Sequence, residues 1–309
     1  MTNLNYFKSL SNYTNTTGAQ VVSSENVIDT KVCQAKALAK IRNQQCFDAI
    51  DSDGIWKISI KEYVPLVCVA LHDGSGFPSE LEQHCLLDSE DRIFEEDPHT
   101  AKLVVSQPIV LSGMDSRYFY DLNRTPEHCD KTTVFGRRVW KKDIHPLSSL
   151  AKQRHEKFYA LFKVLVNKLV DLFGYCLIID IHSYNYSRID RETPLFNLGA
   201  TKFKREDELL FVRQWKQALE DIKFPGIKLP VAENDVFRGE GYLLQWVQRE
   251  FPKTCMTIPI DIKKIYCDEV TGKIYPFLFR RLTQELNKAI DLAPVIFQEG
   301  RLSQFLTSS

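Results

Sequence analysis

The chain has 309 residues, of which 44% are hydrophobic and 26% are charged, a composition typical of a soluble globular protein. Its 40 basic and 40 acidic side chains give a formal net charge of zero, so there is no general attraction to nucleic acid or to membrane surfaces. No apolar run approaches the roughly 20 residues that a membrane-spanning helix needs. The oligomeric state stays open.

The first residues of the chain are polar and rich in Asn, Thr and Ser, without the basic-then-apolar layout of a signal peptide. We expect a flexible arm over 1–26 and one α/β domain over 27–309. None of the 8 cysteines forms a Cys-x-x-Cys pair. We therefore expect free thiols in a reducing, cytoplasmic compartment and no cysteine-based zinc cluster.

Apolar periodicity predicts strands that alternate with helices along the chain. The predicted helices cover 30–49, 86–96, 150–172, 205–222, 241–251 and 276–292, and the predicted strands cover 55–60, 64–71, 102–111, 117–122, 176–185 and 255–262. Such alternation implies a single α/β domain with a mixed, mostly parallel central sheet flanked by helices on both faces, a phosphorylase/hydrolase-like architecture.

Two of the predicted strands each lead into a histidine. The run VPLVCVAL over 64–71 precedes His72, and the run CLIIDIHSYN over 176–185 contains His182. Continuous apolar runs indicate strands buried on both faces, and ligands bind beyond the carboxyl ends of such strands. A lone histidine at a strand end is more often a hydrogen-bonded loop residue. Two such endings in a chain with 7 histidines favour a pair of imidazoles, which is half of a zinc site.

A zinc site with two histidines needs at least one more ligand, and a catalytic site keeps one position open for water. Among the acidic residues that follow His72, Asp91 and Glu80 are the best candidates, ahead of Glu90 and Asp88. Acidic side chains on a helix are usually only solvated. The third ligand is therefore open between them.

Metal-assisted hydrolysis also needs a carboxylate that moves a proton. Asp261 lies near the end of the predicted strand TIPIDI, and Glu233 and Glu240 are alternatives. The structural alternative for Asp261 is a strand cap that pairs with Lys263 or Lys264.

Arginine side chains are suited to binding a substrate carboxylate through two parallel hydrogen bonds. Arg117 and Arg124 flank a predicted strand, and Arg238 lies beside two glycines in VFRGEGY. The chain has no Gly-rich phosphate loop, Gly-x-Ser-x-Gly elbow or Gly-x-Gly-x-x-Gly motif. The candidate ligand is therefore a small molecule with a carboxylate.

Several short motifs follow one another along the chain. They are His72-Asp73-Gly74, Glu90-Asp91-Arg92, Ser116-Arg117-Tyr118, Asp121-Leu122-Asn123-Arg124, Arg154-His155, Asp180-Ile181-His182-Ser183, Phe196-Asn197-Leu198-Gly199 and Phe237-Arg238-Gly239. In this order they resemble the N-formylglutamate amidohydrolase family. Two of the motifs also resemble the wider zinc carboxypeptidase superfamily, whose fold has a mixed central sheet flanked by helices.

The resemblance implies a zinc-dependent amidohydrolase that cleaves the N-formyl, or another N-acyl, amide of a small acidic amino acid. It implies one zinc ion, with His72, His182 and Asp91 as ligands. The matching substrate-site residues are Arg117, Asn123, Arg124, His155 and Arg238. Arg124 would also serve catalysis if it orients the scissile bond, and His155 has a purely structural alternative.

The chain departs from these families at two positions. Ser75 stands where a carboxypeptidase-like His-x-x-Glu motif would have its glutamate, and Asp261 stands where the family strand carries a glutamate as general acid/base. The aspartate is shorter by one carbon–carbon bond of about 1.5 Å. Two alternatives therefore stay open: a carboxypeptidase-like hydrolase acting on a peptide C-terminus, and a catalytically weak binding or regulatory protein.

Overall fold

The computed structural model describes residues 30–134, 136–142, 145–222 and 230–307. The arm predicted for 1–26 lies outside these ranges. Eleven strands are found within them: β1 Thr30–Val32, β2 Phe47–Asp51, β3 Trp56–Ile60, β4 Leu66–Ala70, β5 Ile109–Gly113, β6 Thr133–Val134, β7 Arg137–Arg138, β8 Cys176–Tyr184, β9 Phe196–Leu198, β10 Val231–Glu233 and β11 Cys255–Lys263.

Nine of these strands form one sheet in the order β1-β2-β3-β5-β4-β8-β11-β9-β10. Five neighbouring pairs are parallel, including β5 with β4, β4 with β8 and β8 with β11, and three are antiparallel. The remaining two strands, β6 and β7, form a small hairpin. The predicted mixed, mostly parallel sheet is confirmed.

Helices cover both faces of the sheet. In the described part of the chain they are α1 Gln34–Arg42, α2 Ser79–Glu82, α3 Ser89–Glu95, α4 Thr100–Leu103, α5 Ser148–Phe173, α6 Glu206–Glu220, α7 Tyr242–Glu250 and α8 Pro276–Thr307. Apolar side chains of α1, α5 and α7 form one core against the sheet, and those of α4, α6 and α8 form the other. The helices therefore bury the sheet on both sides, as expected for runs as apolar as β4 and β8.

Three predicted elements differ from the structure. The helix predicted for 30–49 is instead β1, α1 and β2, because Gln44 adopts a left-handed backbone conformation (φ 55°) that ends helical geometry. The strand predicted for 102–111 is divided into the end of α4 and the start of β5, with Pro108 between them. The strand predicted for 117–122 is a series of turns.

Segment 117–122 shows why an apolar run does not always form a strand. Tyr118, Phe119 and Tyr120 are all buried, but the Phe119 N–H donates to the Ser116 carbonyl and the Asp121 N–H to the Cys129 carbonyl. A turn packed inside the core needs as many apolar side chains as a buried strand, so periodicity does not separate the two.

The eight cysteines are free thiols, as predicted, and six of them are buried. Within the described ranges, no helix combines the length and apolarity needed to cross a bilayer.

Candidate metal centre and substrate cavity

The three central parallel strands bring their carboxyl ends to one edge of the sheet. His72 follows β4, and β8 and β11 carry His182 and Asp261 at directly paired positions. Alternation along β8 turns Asp180 and His182 to the face covered by α5 and α7, since Ile179 and Ile181 belong to the opposite core. Alternation therefore puts Asp180, His182 and Asp261 on one face, and His72 meets His182 from beyond the end of β4.

The two histidines meet around a third residue, Asp97. Asp97 Oδ2 lies 3.3 Å from His72 Nδ1 and 3.1 Å from His182 Nδ1, and the two ring centroids are 5.1 Å apart. One ligand atom from each residue can be chosen so that all three lie within 4.8 Å of one another. The three side chains are buried and form a candidate metal centre.

Further carboxylates stand behind the imidazoles. His72 Nε2 donates to Asp121 Oδ1 at 2.7 Å, and His182 Nε2 lies 3.1 Å from Asp180 Oδ1. Asp180 is only 1% exposed, and its contact with His182 is an ion pair within the core. A carboxylate behind a histidine fixes the ring orientation and leaves the other nitrogen for a metal.

The electrostatic field of this cluster is strongly negative. Burial opposes a charge on His182, but Asp180 and Asp97 outweigh it and raise the pKa of His182 well above its usual value. Burial likewise opposes ionisation of Asp97, yet hydrogen bonds from His182 and His72 hold the pKa of Asp97 below its usual range. The cluster therefore favours a positive charge at its centre.

Asp97 is held by contacts from three directions. Its N–H donates to the His72 carbonyl at 2.9 Å, and Ser183 Oγ donates to Asp97 Oδ1 at 3.1 Å. The buried Lys264 ammonium donates to the carbonyls of Phe94 and Glu96, at 3.0 and 2.7 Å. The backbone that presents Asp97 is thus fixed to His72 and to the end of β11, and the Asp97 side chain is fixed to β8.

Asp261 lies beside His182 in the same buried cluster. Burial is the main cause that raises the pKa of Asp261, to about 7, and the charge of Asp97 raises it further while His182 lowers it. Asn197 Nδ2 donates to Asp261 Oδ2 at 3.2 Å. The predicted alternative, in which Asp261 pairs with Lys263 or Lys264, is not what the structure shows, since these lysines donate to backbone carbonyls.

A cavity of about 360 Å³ opens above the cluster. Its wall includes Arg124 and Arg238, both exposed, and Arg117, which is partly buried. Arg117 Nη2 donates to Asp121 Oδ2 at 3.1 Å, whereas Arg124 Nε lies 3.8 Å from the same oxygen, beyond hydrogen-bond length. Arg238 makes no side-chain ion pair with any residue in the described ranges. Arg124 and Arg238 therefore present guanidinium groups to a ligand.

The structure places Asp91, the predicted acidic ligand, away from the histidines. Its side chain lies on α3 and receives a hydrogen bond from Arg137 at 2.6 Å. Asp91 does not meet the imidazoles because α3 ends at Glu95 and the chain then turns inward, so that Asp97 reaches them instead. The outer surface of α3, which carries Asp91, stays outside the histidine cluster.

The other acidic candidates are also outside the metal centre. Glu80, Glu90 and Asp88 are exposed, and Asp88 caps α3 by accepting the Asp91 N–H at 2.8 Å. Glu233 forms an ion pair with Lys216 on the sheet edge. Glu240 lines the cavity at its exposed rim, where it pairs with Lys202 at 3.5 Å.

Two residues predicted for the substrate site, Asn123 and His155, form hydrogen bonds with backbone groups. Asn123 lines the cavity, but its Oδ1 accepts the Leu243 N–H and so caps α7, leaving Nδ2 3.4 Å from His182 Nε2. His155 is buried on α5 outside the cavity wall, and its Nε2 donates to the Arg124 carbonyl at 2.9 Å. It supports the Arg124 loop from behind, in line with its structural alternative.

Four site residues were missed from the sequence: Asp97, Asp121, Asp180 and Asn197. A signal existed for Asp97, because Asp97-Pro98 directly follows the acidic helix, and a residue before proline is biased to extended backbone. Such a residue ends the helix and can point away from its solvated face. Asp121 and Asp180 lie within motifs whose neighbours were chosen instead, and Asn197 lies in a motif from which no site residue was chosen.

These features define the class of protein: a hydrolase-like α/β protein with a candidate metal centre and an arginine-lined cavity at the carboxyl edge of its sheet. The model of the N-formylglutamate amidohydrolase family matches residues 64–266. The chain belongs to this family, as the order of its motifs predicted, and is therefore a hydrolase acting on amide bonds. No curated protein sequence matches the chain.

Solved structures share the fold. An N-formylglutamate amidohydrolase from Ralstonia eutropha JMP134 is similar with a TM-score of 0.63 and 20% identity, over 79% of this chain and 99% of that one. A gene product from Agrobacterium tumefaciens is similar with a TM-score of 0.52 and 17% identity, over 76% and 95%. At these identities the likeness shows the fold alone.

Proposed function

We propose that the protein is a zinc-dependent amidohydrolase that cleaves the N-formyl, or another N-acyl, amide of a small acidic amino acid. The observation that carries the proposal is the position of Asp97 between His72 and His182, with Asp261 beside them under an arginine-lined cavity. Family membership supports the amide bond as the target.

The residues present fit a zinc ion. Two imidazole nitrogens and a carboxylate oxygen are ligands that zinc takes, and catalytic zinc sites use three protein ligands. The buried Asp121 and Asp180 carboxylates behind the imidazoles also favour a cation in the cluster. His72, Asp97 and His182 would hold the metal. When bound, a divalent metal supplies Lewis-acid chemistry, which polarises a carbonyl group and acidifies a water molecule.

Asp261 moves the proton in this proposal. A carboxylate with a pKa of about 7 is present in both protonation states near neutral pH, so it can accept a proton and return it. Asp261 takes the proton of the attacking water and delivers it to the amide nitrogen as the bond breaks. The pairing of Asp261 with His182 supports this role, because it brings the carboxylate next to the candidate ligands.

Arg124 and Arg238 bind the substrate carboxylates. Both arginines line the cavity and have no hydrogen-bonded carboxylate among the described residues, whereas Arg117 is already held by Asp121. Two such groups suit a substrate with two carboxylates, which supports an acidic amino acid. Asp121 and His155 hold the backbone around Arg124 rather than the substrate.

The test combines elemental analysis of the purified protein with a panel of N-formyl amino acids, measuring formate and amine release. Wild-type protein should contain about one zinc ion and prefer acidic members of the panel. His72→Ala and His182→Ala should lose metal and activity, while His84→Ala, an exposed histidine away from the cavity, should keep both. Stoichiometric metal in both site variants would refute the assignment.

The same panel separates the alternatives that the sequence left open. Preferential release of a C-terminal residue from peptides would identify the carboxypeptidase-like reaction. Tight binding of N-acyl amino acids without product release would identify a binding protein.

A further inference from the structure

Asn197 connects two parts of the cavity through one side chain. It is completely buried on β9 and stands directly opposite Asp261 in the antiparallel β9–β11 pair. Its Nδ2 donates to Asp261 Oδ2 at 3.2 Å and to the Phe237 carbonyl at 2.8 Å. A single amide group thus contacts both the proton-transferring carboxylate and the loop next to Arg238.

The other end of the amide binds the same loop. Asn197 Oδ1 accepts the N–H groups of Asp235 and Val236, at 2.9 and 3.0 Å. These two contacts, with the two from Nδ2, use the full hydrogen-bonding capacity of an asparagine side chain. They also fix the orientation of the amide, since two partners are N–H donors and two are oxygens.

The loop has further anchors that do not involve Asn197. A Cβ atom on Gly199 would lie 2.5 Å from Gly239 Cα, so the two glycine backbones are in direct contact. Thr201 donates to the Arg238 carbonyl through its backbone N–H and its hydroxyl, at 3.2 and 2.6 Å. Loss of the Asn197 amide should therefore shift the loop relative to Asp261 without releasing it.

We propose that Asn197 is a positioning residue that couples loop 235–238 to Asp261, so that the substrate group held by Arg238 and the proton-transferring carboxylate keep a fixed relative position. This inference rests on the proposed function of Asp261 and Arg238. It assigns a role to an element, Phe196-Asn197-Leu198-Gly199, that carries neither a metal ligand nor a substrate contact.

The test compares Asn197→Ala with a matched control, Asn287→Ala. Asn287 is a buried asparagine on α8 with hydrogen bonds to Leu103, Thr283 and Gln107, and it does not line the cavity. Both variants should lose comparable thermal stability. Asn197→Ala should also lower kcat by roughly 10- to 100-fold, as expected for a lost hydrogen bond to a charged group, and raise KM by roughly 2- to 10-fold.

Two kinetic outcomes would overturn the coupling. If Asn197→Ala changes stability alone, as expected for Asn287→Ala, Asn197 is an ordinary core amide. If only KM rises, Asn197 anchors the loop without acting on Asp261. A double-mutant cycle adds a third check. In an Asp261→Asn background, Asn197→Ala should lower kcat much less than it does in the wild type, because the carboxylate that Asn197 positions has already been removed.

Amide hydrogen exchange separates failure of this inference from failure of the proposed function. Asp261→Ala should speed exchange at the Asp235 and Val236 amides by roughly 2- to 10-fold, because Asn197 loses one of its four partners. This readout needs no substrate. If the wild-type protein cleaves nothing in the panel, the proposed function fails, and the exchange rates alone test whether Asn197 couples the loop to Asp261. Unchanged exchange at both amides refutes the coupling.

Discussion

Replacement of Asp97 by asparagine tests the candidate metal centre most directly. The change keeps the size of the side chain and removes the charge between two imidazole Nδ1 atoms at 3.3 and 3.1 Å. Loss of a residue that only orients a ligand costs 10- to 100-fold in metal affinity, so loss of a ligand itself should cost at least about 100-fold. Zinc affinity is measured by competition with a chromogenic chelator.

Asp91→Asn is the matched control for this experiment. Asp91 lies six positions earlier in the chain, and its ion pair with Arg137 is partly exposed on both sides. Such pairs contribute at most about 1 kcal/mol to stability and lie outside the site, so zinc affinity should stay unchanged. Circular dichroism verifies that both variants are folded. Retained zinc in Asp97→Asn, or lost zinc in Asp91→Asn, would refute the assignment of Asp97.

Three further predictions concern catalysis and stability. Arg124→Lys keeps the charge but loses the bidentate geometry, so kcat/KM on the best N-acyl amino acid should fall by about 10- to 100-fold; an unchanged value would remove Arg124 from the site. Asp261→Asn should lower kcat by about 10²–10⁴-fold with metal content unchanged, and full activity would move proton transfer to Glu240. Burial lowers the pKa of His145, which accepts the Leu147 N–H and donates to the Phe119 carbonyl. Because the unfolded chain takes up the proton first, the free energy of unfolding should fall as pH drops below about 6.5, and urea titrations should show a weaker pH dependence in His145→Asn.

The sequence by itself determined the central part of the fold. The apolar runs at 64–71, 176–185 and 255–262 are long enough to fill strands buried on both faces, and the structure has β4, β8 and β11 at these positions. The histidine pairing follows from the same pattern, because parallel strands bring their carboxyl ends to one edge. His72 and His182 could therefore be brought together without any coordinates.

The two short strands at one end of the sheet, β9 and β10, could not be predicted in the same way. β9 and β10 have three residues each, too few for a period of two to be distinguished from chance. Their formation depends on pairing with strands that are distant in sequence, β9 with β11 and β10 with β9. The position of Asn197 opposite Asp261 follows from that pairing and has no local signal.

The tertiary structure alone decided the third member of the metal centre. From the sequence we selected acidic residues of the predicted helix 86–96, including Asp91, because several acidic residues lie close together there. The position between the two imidazoles is filled by Asp97, two residues beyond the helix, where the chain turns into the core and its backbone is held by Lys264. Which carboxylate reaches two buried imidazoles depends on the path of the chain after a helix ends, and that path is fixed by contacts with residues distant in sequence, such as Ser183 and Lys264.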